Sequence, residues 1–386
     1  MKKTFIILVV IIISFGSILT GCEEDNSSVL SMTENISSDS ASSKSSNVNN
    51  SDSESTADGN SSSFKYKAPD NSPVALHGKL SVNGNDLVDE NGEKFQLRGM
   101  STHGLTWFPQ FVDEGIYTTL RDEWNVNCIR LAMYVDESTT GGSEVCYLKN
   151  KQGSLDVLSD GIKACLDLGL YVIVDWHMLN PGDPTAYTEE AKAFFSVIST
   201  LYADYPNIIY ELCNEPNGDD ITWNSHIKPY CDEVLNVIRQ NDSDAVVIAG
   251  TATWSQDVHD VSQNLIDDPN VMYALHFYAG THKASLRNRL QNTYNSGIPI
   301  FVSEFGVCDA TGNGINDFDQ ATQWLTLLDE LNISYMNWNI SDKNEASSIF
   351  LPNSGVTGAG FTEANLTDSG KFIRNWFINR ASQVEQ

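Results

Sequence analysis

From about Val74 onward, short and nearly pure apolar runs recur, each followed by a longer segment whose apolar residues return every three or four positions. Runs that lack the in-out alternation of a half-exposed strand are those of strands covered on both faces. Eight qualify: residues 95–100, 127–134, 171–176, 208–213, 245–250, 272–277, 299–303 and 334–337. Between and after them lie helix-period segments at 154–168, 188–203, 223–239, 284–294, 317–331 and 369–380. In the first of these, Leu155, Leu158, Ile162, Cys165 and Leu166 form one apolar stripe. Buried strands alternating with helices imply a parallel sheet, because parallel neighbours need a crossover between them. Eight such units in roughly 310 residues fit a closed (β/α)₈ TIM barrel. An open doubly wound sheet is the alternative, weakened because no glycine-rich phosphate loop follows any of the strands.

The chain ahead of the barrel divides in two. Lys2 and Lys3 precede an almost continuously apolar stretch at 5–13, and Leu19-Thr20-Gly21-Cys22 follows. This is a secretory signal pattern ending in a lipobox-like motif, in which Cys22 would be diacylated and become the new N-terminus. The apolar stretch is too short and wrongly flanked for a stable membrane span. Residues 1–21 are therefore expected to be a lipoprotein signal peptide. Ser, Asn, Asp and Glu dominate from Glu23 to Ser63, with too little apolar surface to fold, so residues 22–73 are expected to form a disordered tether. Residues 74–386 remain as the folded domain. At its start, Asn83-Gly84-Asn85 and Asp89-Glu90-Asn91-Gly92 separate short alternating runs, predicting a small N-terminal β-hairpin region that closes one end of the barrel.

A formal net charge of −28 excludes nucleic acid as a partner and disfavours a strongly anionic substrate, so a neutral one fits best. After Cys22, the cysteines Cys128, Cys146, Cys165, Cys213, Cys231 and Cys308 show no CxxC spacing, which argues against a zinc ribbon or redox motif. Several act as small hydrophobes in apolar runs. One or two disulfides of unassigned pairing remain open for an exported protein.

In a barrel of this type the active site lies at the C-terminal strand ends. Those ends carry, in order, His103 and Trp107; Arg130 and Tyr134; Asp175, Trp176 and His177; Asn214 and Glu215; Trp254; His276 and Tyr278; Ser303 and Glu304; and Trp338, with Lys343 and Glu345 close behind. A satisfied core histidine or a core tryptophan explains any one of these alone, but not the convergence of the set on one face. Glu215 and Glu304 would face each other across the mouth. Paired carboxylates are the machinery of glycoside hydrolysis, one protonated to release the leaving oxygen and one ionised to attack the sugar carbon. Arg130 and Tyr278 can hydrogen-bond Glu304, and the Asn214 amide can bind a sugar hydroxyl. Sugar rings present apolar C–H faces, and Trp107, Trp254 and Trp338 could supply stacking platforms for a long neutral glucan. No metal-ligand spacing such as HExxH occurs, so no metal or cofactor is expected.

Several stretches together resemble glycoside hydrolase family 5, and most its bacterial endo-β-1,4-glucanases, the cellulases. They are Phe95-Gln96-Leu97-Arg98-Gly99-Met100-Ser101-Thr102-His103-Gly104-Leu105, Ile129-Arg130-Leu131-Ala132-Met133-Tyr134, Val174-Asp175-Trp176-His177 and Tyr210-Glu211-Leu212-Cys213-Asn214-Glu215-Pro216. Thr253-Trp254-Ser255-Gln256-Asp257-Val258, His276-Phe277-Tyr278-Ala279-Gly280-Thr281-His282, Val302-Ser303-Glu304-Phe305-Gly306 and Trp338-Asn339-Ile340-Ser341-Asp342-Lys343 complete them, in family order over essentially the whole folded domain. The resemblance implies a retaining mechanism on cellulose or related β-glucans. Glu215 would be the general acid/base and Glu304 the nucleophile. Asn214 would bind the 2-hydroxyl of the sugar being cleaved, while Arg130, His276 and Tyr278 orient and stabilise Glu304. His177 and Trp338 would line the cleavage subsite. His103, Trp107, Lys343 and Glu345 would bind sugar on the non-reducing side, Trp254 would serve the leaving-group side, and Tyr134 would lie near the two glutamates. Phe305 departs from the Trp of many relatives, and Cys308 from another small residue, which bears on loop packing alone.

Lichenase, xyloglucanase and mannanase activities of the same family remain open. So does a non-catalytic oligosaccharide-binding surface lipoprotein, although a binder has no need of both glutamates. The expected protein is an exported monomer, lipid-anchored through Cys22 at the bacterial cell surface and either kept there or shed. It meets the membrane only through that lipid. No carbohydrate-binding module is expected after Gln386, which favours soluble or amorphous glucans.

Overall fold

The computed structural model describes residues 66–136 and 146–384. Two short strands, β1 (Ser81–Asn83) and β2 (Asp86–Val88), pair antiparallel around Gly84, whose φ of 66° suits the tight turn. Eight parallel strands then close a barrel. They are β3 (Arg98–Thr102), β4 (Cys128–Tyr134), β5 (Tyr171–His177), β6 (Ile208–Glu211), β7 (Val247–Ala249), β8 (Val271–Tyr278), β9 (Ile300–Gly306) and β10 (Tyr335–Ile340). Each pairs with its sequence neighbour, and β10 closes on β3, so the barrel leaves no edge strand. Every predicted strand is present. The first begins later than expected and runs on to Thr102, because Phe95 is taken up by packing outside the strand: its ring stacks 3.9 Å from that of His77.

The helices follow the predicted periodicity. Helix α1 (Pro73–His77) precedes the hairpin, and α2 (Glu114–Trp124), α3 (Lys151–Leu168), α4 (Thr188–Tyr202), α5 (Lys228–Arg239), α6 (Ala284–Asn295), α7 (Phe318–Glu330) and α8 (Asp368–Val384) surround the barrel. Sequence chemistry sets their limits. Side chains of Asp113, Asn150 and Asp317 accept first-turn amides of α2, α3 and α7, and Asn125 and Gly169 end α2 and α3 in the left-handed conformation. The connection from β7 to β8 departs from the repeat. It holds a four-residue turn, Ala252–Ser255, and a 3₁₀ segment, Val258–Gln263, in place of a full helix.

Val74, Leu80, Leu87 and Leu97 pack against Cys128, Tyr171, Ile173, Ile209, Ile248, Met272, Phe301 and Met336 in one core cluster. These barrel residues lie toward the N-terminal ends of their strands, so α1 and the hairpin plug the end opposite the mouth. Each such aliphatic side chain contributes about 1.5–3 kcal/mol by its burial.

The boundary of the predicted tether is corrected here. Residues 66–73 belong to the folded unit: Tyr66 Oη donates to the Leu166 carbonyl at 2.7 Å, and buried Ser72 caps α1. The signal segment 1–21, Cys22 and tether residues 22–65 lie outside the described residues. The six cysteines Cys128, Cys146, Cys165, Cys213, Cys231 and Cys308 are buried free thiols.

Candidate active site

A cavity of about 590 Å³ opens at the C-terminal strand ends. His103, Tyr134, His177, Glu215, Trp254, His276, Tyr278, Glu304, Trp338, Lys343 and Glu345 line it, so eleven of the predicted residues meet on one surface. Strand pairing does much of this alignment. Tyr134 stands opposite His177 across β4 and β5, and His276 opposite Glu304 across β8 and β9.

Arg130 forms the ionic base beneath the cavity and is fully buried. Its guanidinium donates from Nε to Glu211 Oε2 at 2.6 Å, from Nη1 to Glu304 Oε2 at 3.1 Å, and from Nη2 to Asn214 Oδ1 at 2.7 Å. Nη2 also lies 2.9 Å from Asp175 Oδ2. A buried cation is tolerated only with such partners. Burial opposes the Glu211 charge, but the Arg130 charge and hydrogen bond, with the His276 ring nearby, pull its carboxyl down to about 2. Burial outweighs Arg130 at Asp175 and pushes that carboxyl well up.

Asn214 is oriented by this base. With its Oδ1 on Arg130, its Nδ2 turns to His177 Nε2 at 3.3 Å, while His177 Nδ1 meets Asp175 Oδ2 at 2.7 Å. The chain is consistent with a neutral His177 carrying its proton on Nδ1. Burial, reinforced by Arg130, lowers that ring to about 3.

Glu304 has a second donor in Tyr278 Oη at 2.7 Å. Burial and the Glu304 charge push that phenol well up, so it remains a donor. Glu215 is held from β8 instead. His276 Nδ1 lies 2.9 Å from Glu215 Oε1, and His276 Nε2 lies 2.9 Å from Ser303 Oγ. Ser303 Oγ donates onward to Glu211 Oε1 at 2.6 Å, which leaves its lone pair for the imidazole. Burial alone would lower His276, but the nearby Glu211 carboxylate, the hydrogen bond to Glu215 and the Glu304 charge raise it to about 9.

Donor atoms of Glu215, His276 and Glu304 lie within 4.8 Å of one another, close enough to suggest a cation site. Both ring nitrogens of His276 are already committed to Glu215 and Ser303, so the group is satisfied without an ion. The arrangement that remains is two carboxylates facing one open space, each bound by different partners.

The walls are aromatic. Tyr134 stacks on His177 with centroids 4.3 Å apart, and His177 stacks on Trp338 at 5.2 Å. Lys343 Nζ lies 3.2 Å from His103 Nε2 and 2.6 Å from Glu345 Oε2. Burial and the Lys343 charge push the His103 ring well down. Across the cavity, Trp254 is 46% exposed and sits on a turn in which Thr253, Trp254 and Ser255 all have φ between 53° and 57°. Such backbone costs about 1–3 kcal/mol per residue. Hydrogen bonds from Trp254 N to Pro216 O at 3.0 Å and from Ser255 Oγ to Asn214 O at 2.8 Å hold it and tie Trp254 to Glu215.

The family model described as "Cellulase (glycosyl hydrolase family 5)" matches residues 88–344. The chain belongs to glycoside hydrolase family 5. Among curated family 5 relatives, Endoglucanase A of Evansella cellulosilytica is 49% identical over 291 residues, 75% of this chain and 58% of that protein. Endoglucanase 5 of Pectobacterium carotovorum is 45% identical over 312 residues, 81% of this chain and 60% of that protein. The chain thus spans about three-fifths of the length of these relatives. The catalytic domain of Thermobifida fusca endoglucanase Cel5A superposes with a TM-score of 0.74 at 38% identity, covering 80% of this chain and 99% of that one. A variant of that domain has been solved in complex with cellotetraose, with the same coverage and score.

Within this family 5 site, His276 hydrogen-bonds Glu215 and Ser303 and meets Glu304 only through its charge. Trp107 does not line the cavity; its ring lies 6.5 Å from those of His103 and Tyr134. Arg130 and Asn214 lie below the lining, fully buried. Phe305 faces the barrel layers, stacked on Phe277 at 5.2 Å, away from the site. Three residues of the ionic base, Asp175, Glu211 and Ser303, received no role from sequence reasoning. Asp175 and Glu211 were detectable as carboxylates inside otherwise apolar strands, which require a buried partner. Gln256 and His282 on the Trp254 side also line the cavity without having been predicted.

Proposed function

We propose that this protein is a retaining endo-β-1,4-glucanase that cleaves internal bonds of cellulose or related β-glucans by double displacement. The observation that carries the proposal is the spacing of the two carboxylates: one oxygen of Glu215 and one of Glu304 lie within 4.8 Å of each other in an aromatic-walled cavity. Retaining enzymes keep their two carboxyl groups about 5–5.5 Å apart, and inverting enzymes about 6.5–9.5 Å apart to admit a water.

In the first step Glu304 attacks the anomeric carbon as the bond to the leaving oxygen breaks. Glu215 gives its proton to that oxygen, and a glycosyl ester on Glu304 results. Water then gives a proton to Glu215 while its oxygen displaces Glu304 from the same carbon. Arg130 and Tyr278 hold Glu304 at both oxygens, so its line of attack is preset. The His276 Nδ1 faces the Glu215 oxygen on which charge remains after proton donation. Asn214, fixed by Arg130 and His177, offers an amide proton to the 2-hydroxyl. His103, Lys343 and Glu345 bind the non-reducing side and Trp254 the leaving side. A neutral glucan suits the acidic protein, and endoglucanase relatives support this choice over mannanase, lichenase or xyloglucanase.

Reducing-end release from a polysaccharide panel tests the substrate; activity on mannan with none on carboxymethylcellulose or mixed-linkage glucan would overturn it. Glu304→Gln is expected to lower turnover by about three orders of magnitude or more while cello-oligosaccharide binding survives. Unchanged turnover would mean that Glu304 is not the nucleophile.

The protein is further proposed to be exported and lipid-anchored through Cys22, acting as a monomer on the cell surface. The signal pattern and the Cys22 motif support this. Cys22→Ser should move the protein from the membrane fraction to the medium, and an unchanged distribution would contradict the anchor.

A further inference from the structure

Ser303 and Glu211 are fully buried beneath the two catalytic glutamates, and the proposed reaction gives neither a task. Ser303 stands on β9 directly before Glu304, and Glu211 ends β6 shortly before Glu215. A short run of hydrogen bonds joins them to His276. Glu211 Oε2 accepts from Arg130 Nε at 2.6 Å, Glu211 Oε1 accepts from Ser303 Oγ at 2.6 Å, and Ser303 Oγ meets His276 Nε2 at 2.9 Å. His276 Nε2 itself lies 3.8 Å from Glu211 Oε1, too far for a direct hydrogen bond, so the serine hydroxyl bridges the two.

The chemistry of the end groups sets the direction of each proton. Burial opposes a charge on Glu211, yet the Arg130 charge holds its carboxyl down at about 2, so it is ionised and can only accept. The single proton of the Ser303 hydroxyl therefore points to Glu211, and Ser303 Oγ is left to accept from His276. Nε2 must then carry a hydrogen. Burial also opposes a charge on the ring, yet the carboxylates around it raise it to about 9, so Nδ1 carries a hydrogen as well. Nδ1 lies 2.9 Å from Glu215 Oε1 and donates to it. With Oε1 occupied as an acceptor, the proton that Glu215 gives up in the first step sits on Oε2. Among the described residues no hydrogen bond reaches that oxygen, which leaves its proton for the departing group.

We propose that Ser303 is a positioning residue for the acid step: by linking His276 Nε2 to Glu211 it fixes the ring so that Nδ1–H holds Glu215 Oε1 and the transferable proton stays on Oε2. This role rests on the retaining glucanase reading. Ser303 touches no substrate and acts only through His276. Its influence falls on proton donation by Glu215 and not on attack by Glu304, although Glu304 is its neighbour in the chain. A leaving group that needs no proton bypasses it.

Two aryl β-cellobiosides separate these steps, because they share the cellobiosyl group and differ in their need for a proton. Phenyl β-cellobioside releases a basic phenolate and depends on the Glu215 proton. Dinitrophenyl β-cellobioside releases a weakly basic phenolate that departs without one. Ser303→Ala removes the bridge, while Ser303→Thr keeps its hydroxyl. Ser303→Ala is expected to lower kcat/KM for the phenyl substrate about tenfold to a hundredfold, the loss of one hydrogen bond to a charged group, and to leave the dinitrophenyl substrate within about threefold. Ser303→Thr should retain most of the activity on the phenyl substrate. Equal losses on both substrates would assign Ser303 a structural role through Glu304. No loss on either would show that Glu215 does not depend on it, and a Ser303→Thr enzyme as slow as Ser303→Ala on the phenyl substrate would separate the effect from the hydroxyl. Each of these three results overturns the proposal. A wild type that turns over neither aryl substrate nor cellotetraose would overturn the glucanase reading itself, and this proposal with it.

Discussion

Arg130 gathers Glu211, Asp175, Asn214 and Glu304 around one fully buried guanidinium. Two of these four partners, Asn214 and Glu304, were legible as site residues because they end strands beside aromatic and polar neighbours. Glu211 and Asp175 were harder to assign, since one-dimensional spacing does not reveal that β4, β5 and β6 bring them to the same cation. The choice His276 makes between Glu215 and Glu304 was likewise invisible, because it depends on the angle of a side chain between two carboxylates. That choice has a consequence for pH. A proton held more tightly in the folded than in the unfolded chain stabilises the fold until it leaves. His276 is raised from 6.5 to about 9. Its contribution is complete below pH 6.5 and is lost as the pH climbs through 9. Thermal unfolding followed from about pH 6 to pH 10 should show stability declining across that window, with a flatter decline in His276→Phe. Identical slopes in the two proteins would contradict the assignment. Glu211 acts at the other end: depressed to about 2, it contributes above 4.5 and loses its effect as the pH falls toward 2.

At the scale of elements, the repeat of buried strand and amphipathic helix was readable throughout, because both periodicities are strong. Helix α2 was not among the segments named, although Asp113 caps it and Ile116, Tyr117, Leu120 and Trp124 form its buried stripe. The left-handed turn carrying Trp254 had no signal of its own, since Thr253, Trp254 and Ser255 are not residues that favour positive φ. Tertiary hydrogen bonds to Asn214 and Pro216 impose it. The N-terminal boundary was misjudged by composition. The polar stretch ends at Ser63, and Tyr66 just after it reaches Leu166 O and packs 5.2 Å from Tyr205. A chain beginning at residue 73 should therefore be less stable than one beginning at residue 66. Losing the Tyr66 hydrogen bond and the Ser72 cap costs about 1–3 kcal/mol. Denaturant midpoints of the two proteins check this, and equal midpoints would return residues 66–72 to the tether.

For the whole molecule, the plug and the mouth occupy opposite ends of one barrel. The hairpin and α1 stabilise the N-terminal end, where Val74, Leu87 and Leu97 are buried, and leave the C-terminal end free for polar and strained features. That division lets one end hold a buried ionic base and a left-handed turn without loss of the fold. The barrel was legible from strand number and spacing, and the two glutamates from their places in it. Their separation was not, because it depends on where β6 and β9 end in space. The double-displacement account stands on that separation, and the stereochemistry of the product tests it directly. Proton NMR of a fresh digest of a cello-oligosaccharide resolves the anomer released first, before mutarotation. Double displacement through Glu304 predicts the β-anomer first, with the α-anomer growing in slowly. An initial α-anomer would mean a single displacement by water, and would contradict the covalent role given to Glu304.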